Sequence, residues 1–141
     1  AYDSLDFWFS LRNPSVGQEA PPLNLSSSGT NVTASPMSKG PGNSAALLIA
    51  DILERNISQS TPSQMALNNI LITLVFNVDI FGNSLSFLEL DGLVGFDARR
   101  APTVVGRDSH LMGALEWLDQ EAGSLQIPIV GNISRGSEVD F

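Results

Sequence analysis

The stretch that most constrains this chain is Met65 to Phe96, MALNNILITLVFNVDIFGNSLSFLELDGLVGF. It is the densest apolar run in the protein, and no residue between Asn56 and Val78 carries a formal charge. Such a segment has to be buried, because each fully buried Val, Leu, Ile or Phe side chain contributes about 1.5–3 kcal/mol relative to an exposed one. Asn, Gln, Ser and Thr interrupt it throughout, so it lacks the roughly 18–20 consecutive apolar residues that a membrane-spanning helix needs. From Ile70 the residues are mostly β-branched or aromatic, and from Phe76 they alternate, with Phe76, Val78 and Ile80 set against Asn77 and Asp79. Phe81-Gly82-Asn83-Ser84 reads as a turn, and Leu85 to Leu90 alternates again. The pattern predicts a helix-to-strand switch near Asn69 to Leu71 and then a hairpin over 76–91. One continuous helix from Pro62 to Val78 is the competing expectation.

Three helices are expected around this core. In AALLIADILER, Ala45 to Arg55, residues Leu48, Ile49, Ile52 and Leu53 fall on one stripe, with Asn43 or Ser44 as N-cap. Thr61-Pro62-Ser63-Gln64 has the signature of a second start: a capping Thr61, Pro62 in the first turn, and Gln64 able to reach back. The third runs from His110 to Ala122, capped by Asp108 or Ser109, with Leu111, Leu115 and Leu118 on its stripe and Gly123 at its C-terminal cap. Ser124 to Val130 is expected to be an edge strand, because Pro128 has no N–H for a ladder. Leu93 to Phe96 is a further short strand.

The N-terminal third is different. In Ala1 to Arg12, AYDSLDFWFSLR, the apolar Leu5, Phe7, Phe9 and Leu11 alternate with Asp6, Trp8, Ser10 and Arg12. That predicts a half-buried strand, which has to pair with this chain or with a neighbour. Asn13 to Ser44 is expected to be a low-complexity loop rich in Ser, Pro and Gly, with one short edge strand at Leu23 to Leu25 or at Asn31 to Ala34. The expected architecture is α+β: about three helices packed on a small, mainly antiparallel sheet. The whole is one domain of 141 residues, with strand 1–12, loop 13–44 and core 45–141.

Composition excludes several functions. The net charge is −8, and Lys39 is the only lysine, so the chain lacks the basic patch that nucleic acid or anionic lipid requires. Arg99, Arg100 and Arg107 are its sole basic concentration. There is no cysteine, hence no disulfide, zinc–thiolate centre or thiol nucleophile. The single histidine, His110, follows Ser109 directly, and adjacent residues do not form a triad. Trp8 and Trp117 have the chemistry to line a sugar site, although Trp117 sits beside an apolar stripe that suits a core or interface better. A start at Ala1 without Met suggests a processed N-terminus.

Two motifs carry chemistry. Asn24-Leu-Ser, Asn31-Val-Thr, Asn56-Ile-Ser and Asn132-Ile-Ser are four N-glycosylation acceptors among ten asparagines, more than the one or two expected by chance. They point to a secreted, extracellular glycoprotein. The second motif is the set of acids around the expected hairpin: Asp79, Glu89, Asp91 and Asp97. A solvated acidic face is the plain reading. Asp79, Glu89, Asp91 and Asp97 also offer hard oxygen ligands for calcium, and Asp79 with Glu89 offers an acid–base pair for glycoside hydrolysis. The function expected from the whole is a non-enzymatic extracellular binding or self-assembling module with no transmembrane segment. Its N-terminal strand would pair with a protein partner or with another copy in a homo-oligomer. The alternative is a secreted hydrolase using a carboxylate pair from the 76–91 hairpin. No cofactor is expected, apart from calcium in the metal reading.

Overall fold

The computed structural model describes residues 6, 8–27, 29, 32–83, 85–95 and 102–141. Its elements are strands joined by loops, so the α+β expectation with three helices is overturned. In chain order the strands are β1 (Asn24–Ser27), β2 (Val32–Pro36), β3 (Ile52–Gln59), β4 (Ile70–Phe76), β5 (Phe87–Leu90), β6 (Glu116–Asp119), β7 (Ser124–Pro128) and β8 (Glu138–Asp140). Among the described residues the only helical pieces are single 3-10 turns at Gly42–Ser44 and Ser109–Leu111.

The strands form three antiparallel sheets: a β1–β2 hairpin, a sheet ordered β3-β4-β8, and a sheet ordered β5-β7-β6. The two three-stranded sheets share one core. Leu74 and Phe76 from β4 and Val139 from β8 join Leu125 and Ile127 from β7, with Ile129, Ile133, Met112 and Phe141 filling the remainder. β4 and β7 are the central strands, which explains why their sequences are so apolar. β4 buries Leu74 and Phe76 on the face towards the other sheet, with Thr73 and Val75 half-buried on the reverse. Of the opening stretch, Leu74, Phe76 and Val78 are buried and Ile72, Ile80, Leu88, Leu90 and Leu93 pack against the core, whereas Met65, Leu67, Phe81, Leu85 and Val94 are exposed.

The sequence expectations fail where a tertiary partner replaces a helical one. Ala45 to Arg55 lacks the helix because Ile49 pairs with Gln18, each N–H donating to the other's carbonyl at 3.0 Å. The N–H of Asp51 donates to Asn77 Oδ1 at 2.6 Å, and β3 begins at the next residue. Thr61 starts no helix either. Its Oγ1 accepts from Ser63 N–H at 3.1 Å, while Asn68 Oδ1 accepts from the N–H groups of Ser60 and Thr61, closing the loop that joins β3 to β4. The 76–91 hairpin does not form: β4 pairs with β3 and β8, whereas β5 pairs with β7. Between them Ile80 bridges to Ile133, carrying the chain from one sheet to the other.

The third expected helix, His110 to Ala122, is instead a 3-10 turn followed by β6 and a tight turn into β7. Gly123 has the positive φ, +71°, that also suits a helix cap, but here it serves the β6–β7 turn. A Cβ at Gly123 would lie 2.2 Å from Leu93 O, so no larger residue fits there without a shift. β7 is not an edge strand. It is central, and Pro128 is tolerated at its last residue, where its carbonyl accepts from Gly113 N–H at 2.7 Å. In the N-terminal third the sequence predicts one short edge strand, at Leu23 to Leu25 or at Asn31 to Ala34; instead there are two, β1 and β2, which overlap both positions and pair with each other. The N-terminal strand is not seen over Trp8 to Arg12, which is irregular and exposed; residues 1–5 and 7 lie outside the described residues. Leu93 to Gly95 is likewise irregular, and Phe96 lies outside.

Candidate functional site

Two of the acids singled out by the sequence, Asp79 and Glu89, stand on different elements of the fold. Asp79 follows β4, and its Oδ1 accepts from Arg135 N–H at 2.9 Å. Its backbone is gripped by Asn43, whose Oδ1 accepts from Asp79 N–H and whose Nδ2 donates to Asp79 O, both at 2.8 Å. Glu89 stands on β5 in the other sheet, and its Oε1 accepts from Ser124 Oγ at 3.3 Å. Asp91 is exposed beyond β5, and Asp97 lies outside the described residues. The carboxylate-pair and calcium readings both leaned on the 76–91 hairpin, which is not formed. Among the described residues no group of three or more His, Asp or Glu side chains is placed to hold a metal ion.

Asn77, a polar residue that the sequence set only in alternation with Phe76 and Val78, is fully buried, at 0% exposure. Its Oδ1 accepts from Asp51 N–H, and its Nδ2 donates to Ile49 O at 2.9 Å and to Gln18 O at 3.3 Å. Every polar atom of the amide is thereby satisfied, as burial demands. It stitches the end of β4 to the segment that leads into β3, and both to Gln18.

The charged concentration that does form is around Arg107, at the β8 edge. Its guanidinium lies 3.0 Å from Asp108, 3.0 Å from Asp140 and 3.5 Å from Glu138. Asp108 does not cap a helix: its N–H donates to Asp140 O, and its Oδ2 accepts from Asp140 N–H, both at 3.0 Å. Asp140 Oδ1 in turn accepts from Thr73 Oγ1 at 2.8 Å. The Asp140 N–H, and then Arg107, hold the Asp108 carboxyl below the usual carboxylate range. The Asp108 hydrogen bond, and then the charge of Asp140, raise the pKa of the Arg107 guanidinium. These groups satisfy one another and tie the edge of the sheet.

Two concavities remain. A shallow depression of about 480 Å³ runs past Thr103, Val104, Ser109, His110 and Leu115. His110 is exposed there, on the 3-10 turn rather than on a helix. The second, of about 220 Å³, is more apolar and lies between the two sheets. Ile52, Ile57 and Ile72 line it from one sheet, and Leu88 and Leu90 from the other, with Phe141 between them. Arg55 and Glu89 also border it. Its walls end in β3 and β5, the outermost strands of their sheets on this side. Register explains the lining. Ile57 pairs with Ile72 and Arg55 with Leu74, so these side chains project to the core side, while Glu54, Asn56 and Ser58 face outward with Val75, Thr73 and Leu71. Ile57 remains 53% exposed because no described residue covers it.

The N-terminal segment is the largest apolar exposure near the start of the chain. Trp8, Phe9 and Leu11 are 90%, 72% and 65% exposed. None of these three side chains belongs to the buried core. Trp117, the other tryptophan, packs against the core instead. Of the glycosylation acceptors, Asn24 on β1, Asn56 on β3 and Asn132 are exposed, and Asn31 lies outside the described residues. Asn132 Oδ1 also accepts from Gly82 N–H at 3.1 Å. No helix among the described residues is long and apolar enough to cross a membrane. Sequence signal for the groove was present only as the uncharged run from Asn56, because its two walls are brought together by the fold. No family model matches the chain, and no curated protein or solved structure does.

Proposed function

We propose that this chain is a non-enzymatic structural module that assembles with further copies of itself, using its N-terminal arm up to Arg12 as the element that engages a neighbour. The observation that carries this reading is the exposure of Trp8, Phe9 and Leu11 outside a core that is complete without them. Three large apolar side chains left in water within four residues are available to an interface, whereas a single exposed apolar residue is ordinary. The alternation of the arm suits strand addition, in which backbone groups supply affinity and every second side chain is buried.

The setting we propose is extracellular, with the acceptors at Asn24, Asn56 and Asn132 glycosylated. Their exposure supports this, because a glycan needs a solvent-facing asparagine. Native material analysed by intact mass before and after enzymatic deglycosylation tests the setting, and an unchanged mass would count against it.

Sedimentation analysis of the full chain beside a version lacking residues 1–12 tests the function. The full chain is expected to self-associate and the shortened one to be a folded monomer. Folding of the shortened form is expected because Gly17 and Gln18 tie the chain to the segment that leads into β3, while the described residues before them are exposed. A Cβ at Gly17 would lie 2.4 Å from Asp51 Cβ, and Gln18 pairs with Ile49. Association that persists without residues 1–12 would refute the role of the arm.

A further inference from the structure

We infer that the groove between β3 and β5 of one copy receives the Trp8–Arg12 arm of a second copy as an added strand along the outer edge of β3. This rests on the self-assembly reading above and adds to it the acceptor, the direction and the register.

The acceptor follows from what each surface lacks. β3 is eight residues long and has β4 on one side only, with no described strand on the other. An edge of that length offers N–H and C=O groups to another strand. Natural edges are protected by bulges and charge, and β3 has both at its beginning, where the pairing is irregular between Ile52 and Glu54 and where Arg55 follows. From Asn56 to Gln59 that protection ends. There the core-facing side chain is Ile57, which lies over an apolar groove and is half-exposed. The arm supplies the complement: Phe9 and Leu11 at alternate positions, with Ser10 and Arg12 on the other face beside Trp8.

Charge selects the direction. An antiparallel strand with Phe9 opposite Ile57 places Leu11 opposite Arg55, Ser10 opposite Asn56, Trp8 opposite Ser58 and Arg12 opposite Glu54. Phe9 and Leu11 then face the groove, where the aliphatic stem of Arg55 covers Leu11. Arg12 meets Glu54 on the outer face. A parallel strand with the same Phe9–Ile57 contact would set Asp6 against Glu54, and like charges directly opposite are destabilising. The occupant is a second copy because the arm of the same copy is not seated: from Trp8 to Val16 the chain is irregular and exposed, and it rejoins the sandwich only at Gly17 and Gln18. Arm and groove are different surfaces, so the contact closes by reciprocal exchange between two copies or propagates head to tail.

The test is a charge-reversal cycle on the full chain, read by sedimentation from micromolar to submillimolar concentration. Arg12→Glu and Glu54→Arg are each expected to weaken self-association roughly three- to tenfold, and the double variant to return to within about twofold of the parent. Ile57→Asp is expected to abolish association. Because that variant places a charge beside the core, its far-UV circular dichroism is compared with that of the parent. The charge reversals sit at exposed positions and keep the question answerable if Ile57→Asp fails to fold. If removing residues 1–12 abolishes association but the double reversal restores nothing, the arm docks elsewhere; this inference then falls while the self-assembly reading stands. If association survives that removal, both fall. A chain that is monomeric at every concentration, with its arm closed on its own groove or free, also overturns both.

Discussion

Along β8 the sandwich is finished by polar groups, and along β3 and β5 it is left open with an apolar lining. At β8, Asp108 exchanges two hydrogen bonds with the backbone of Asp140, Arg107 bridges Asp108 and Asp140, and Thr73 secures Asp140 from β4. At β3, Ile57 lies half-exposed over a groove of about 220 Å³, and the described residues provide no strand to cover it. The difference teaches where each edge can act. An edge whose backbone and charges are mutually satisfied gains nothing from another strand. An edge with unpaired backbone groups beside apolar side chains gains from one.

The comparison can be broken from its shared middle outward. Ile127 is 2% exposed and stands between the two edges, in the core and at the groove floor. Ile127→Ala should therefore lower stability by about 2–5 kcal/mol, read from the denaturant midpoint. A loss below this range would mean that the groove relaxes to fill the space, and that the open edge is softer than it looks.

Asn77 anchors the root of β3, so Asn77→Ala should remove about 2–3 kcal/mol by leaving Asp51 N–H and the carbonyls of Ile49 and Gln18 without their partner. Hydrogen exchange should rise first at Asp51 and Ile49, while the β8 edge keeps its protection. Uniform loss across both edges would argue against treating them as separable.

Asp108→Asn sharpens the closed edge through pH. The Asp108 carboxyl is held below its ordinary value of 3.8, so the unfolded chain binds the proton more readily than the folded one. Its contribution is fully present above that value and is lost as pH falls through the lower folded value. Acid unfolding of the parent should steepen in this window, and Asp108→Asn should flatten the profile there and lower Tm by a few degrees at neutral pH. An unchanged acid profile would remove Asp108 as the tie. Last and smallest, Ile57→Ser should alter the stability of the arm-less monomer by less than about 0.5 kcal/mol, since a half-exposed side chain on an open edge has little burial to lose.

The sequence carried the core clearly and the architecture poorly, and particular residues explain both. β4 begins at Ile70, where β-branched residues replace helix formers, so the expected switch near Asn69 to Leu71 coincides with a strand start. Leu48, Ile49, Ile52 and Leu53 satisfy a helical stripe equally well, but Ile49 is claimed by Gln18, 31 residues away, and Asp51 by Asn77. Gly123 announced a left-handed residue, which ends helices and turns hairpins alike. Pro128 announced a missing donor, which a central strand accepts at its end. The groove was marked locally only by the uncharged run from Asn56, and nothing local showed that β5 would form its other wall.

Composition and periodicity were thus enough to mark residues such as Leu74, Phe76 and Val78 for burial and to exclude cysteine chemistry within this sequence. Those are properties of single side chains and of near neighbours. Which strands pair, that Asp79 lies beyond the end of β4 while Glu89 stands on β5, and that Ile57 and Leu88 both line an open groove depend on contacts between residues far apart in sequence. The free energy of those contacts exceeds the modest helical preference of 45–55 and 110–122, because burial and satisfied backbone hydrogen bonds outweigh a propensity of under about 1 kcal/mol per residue.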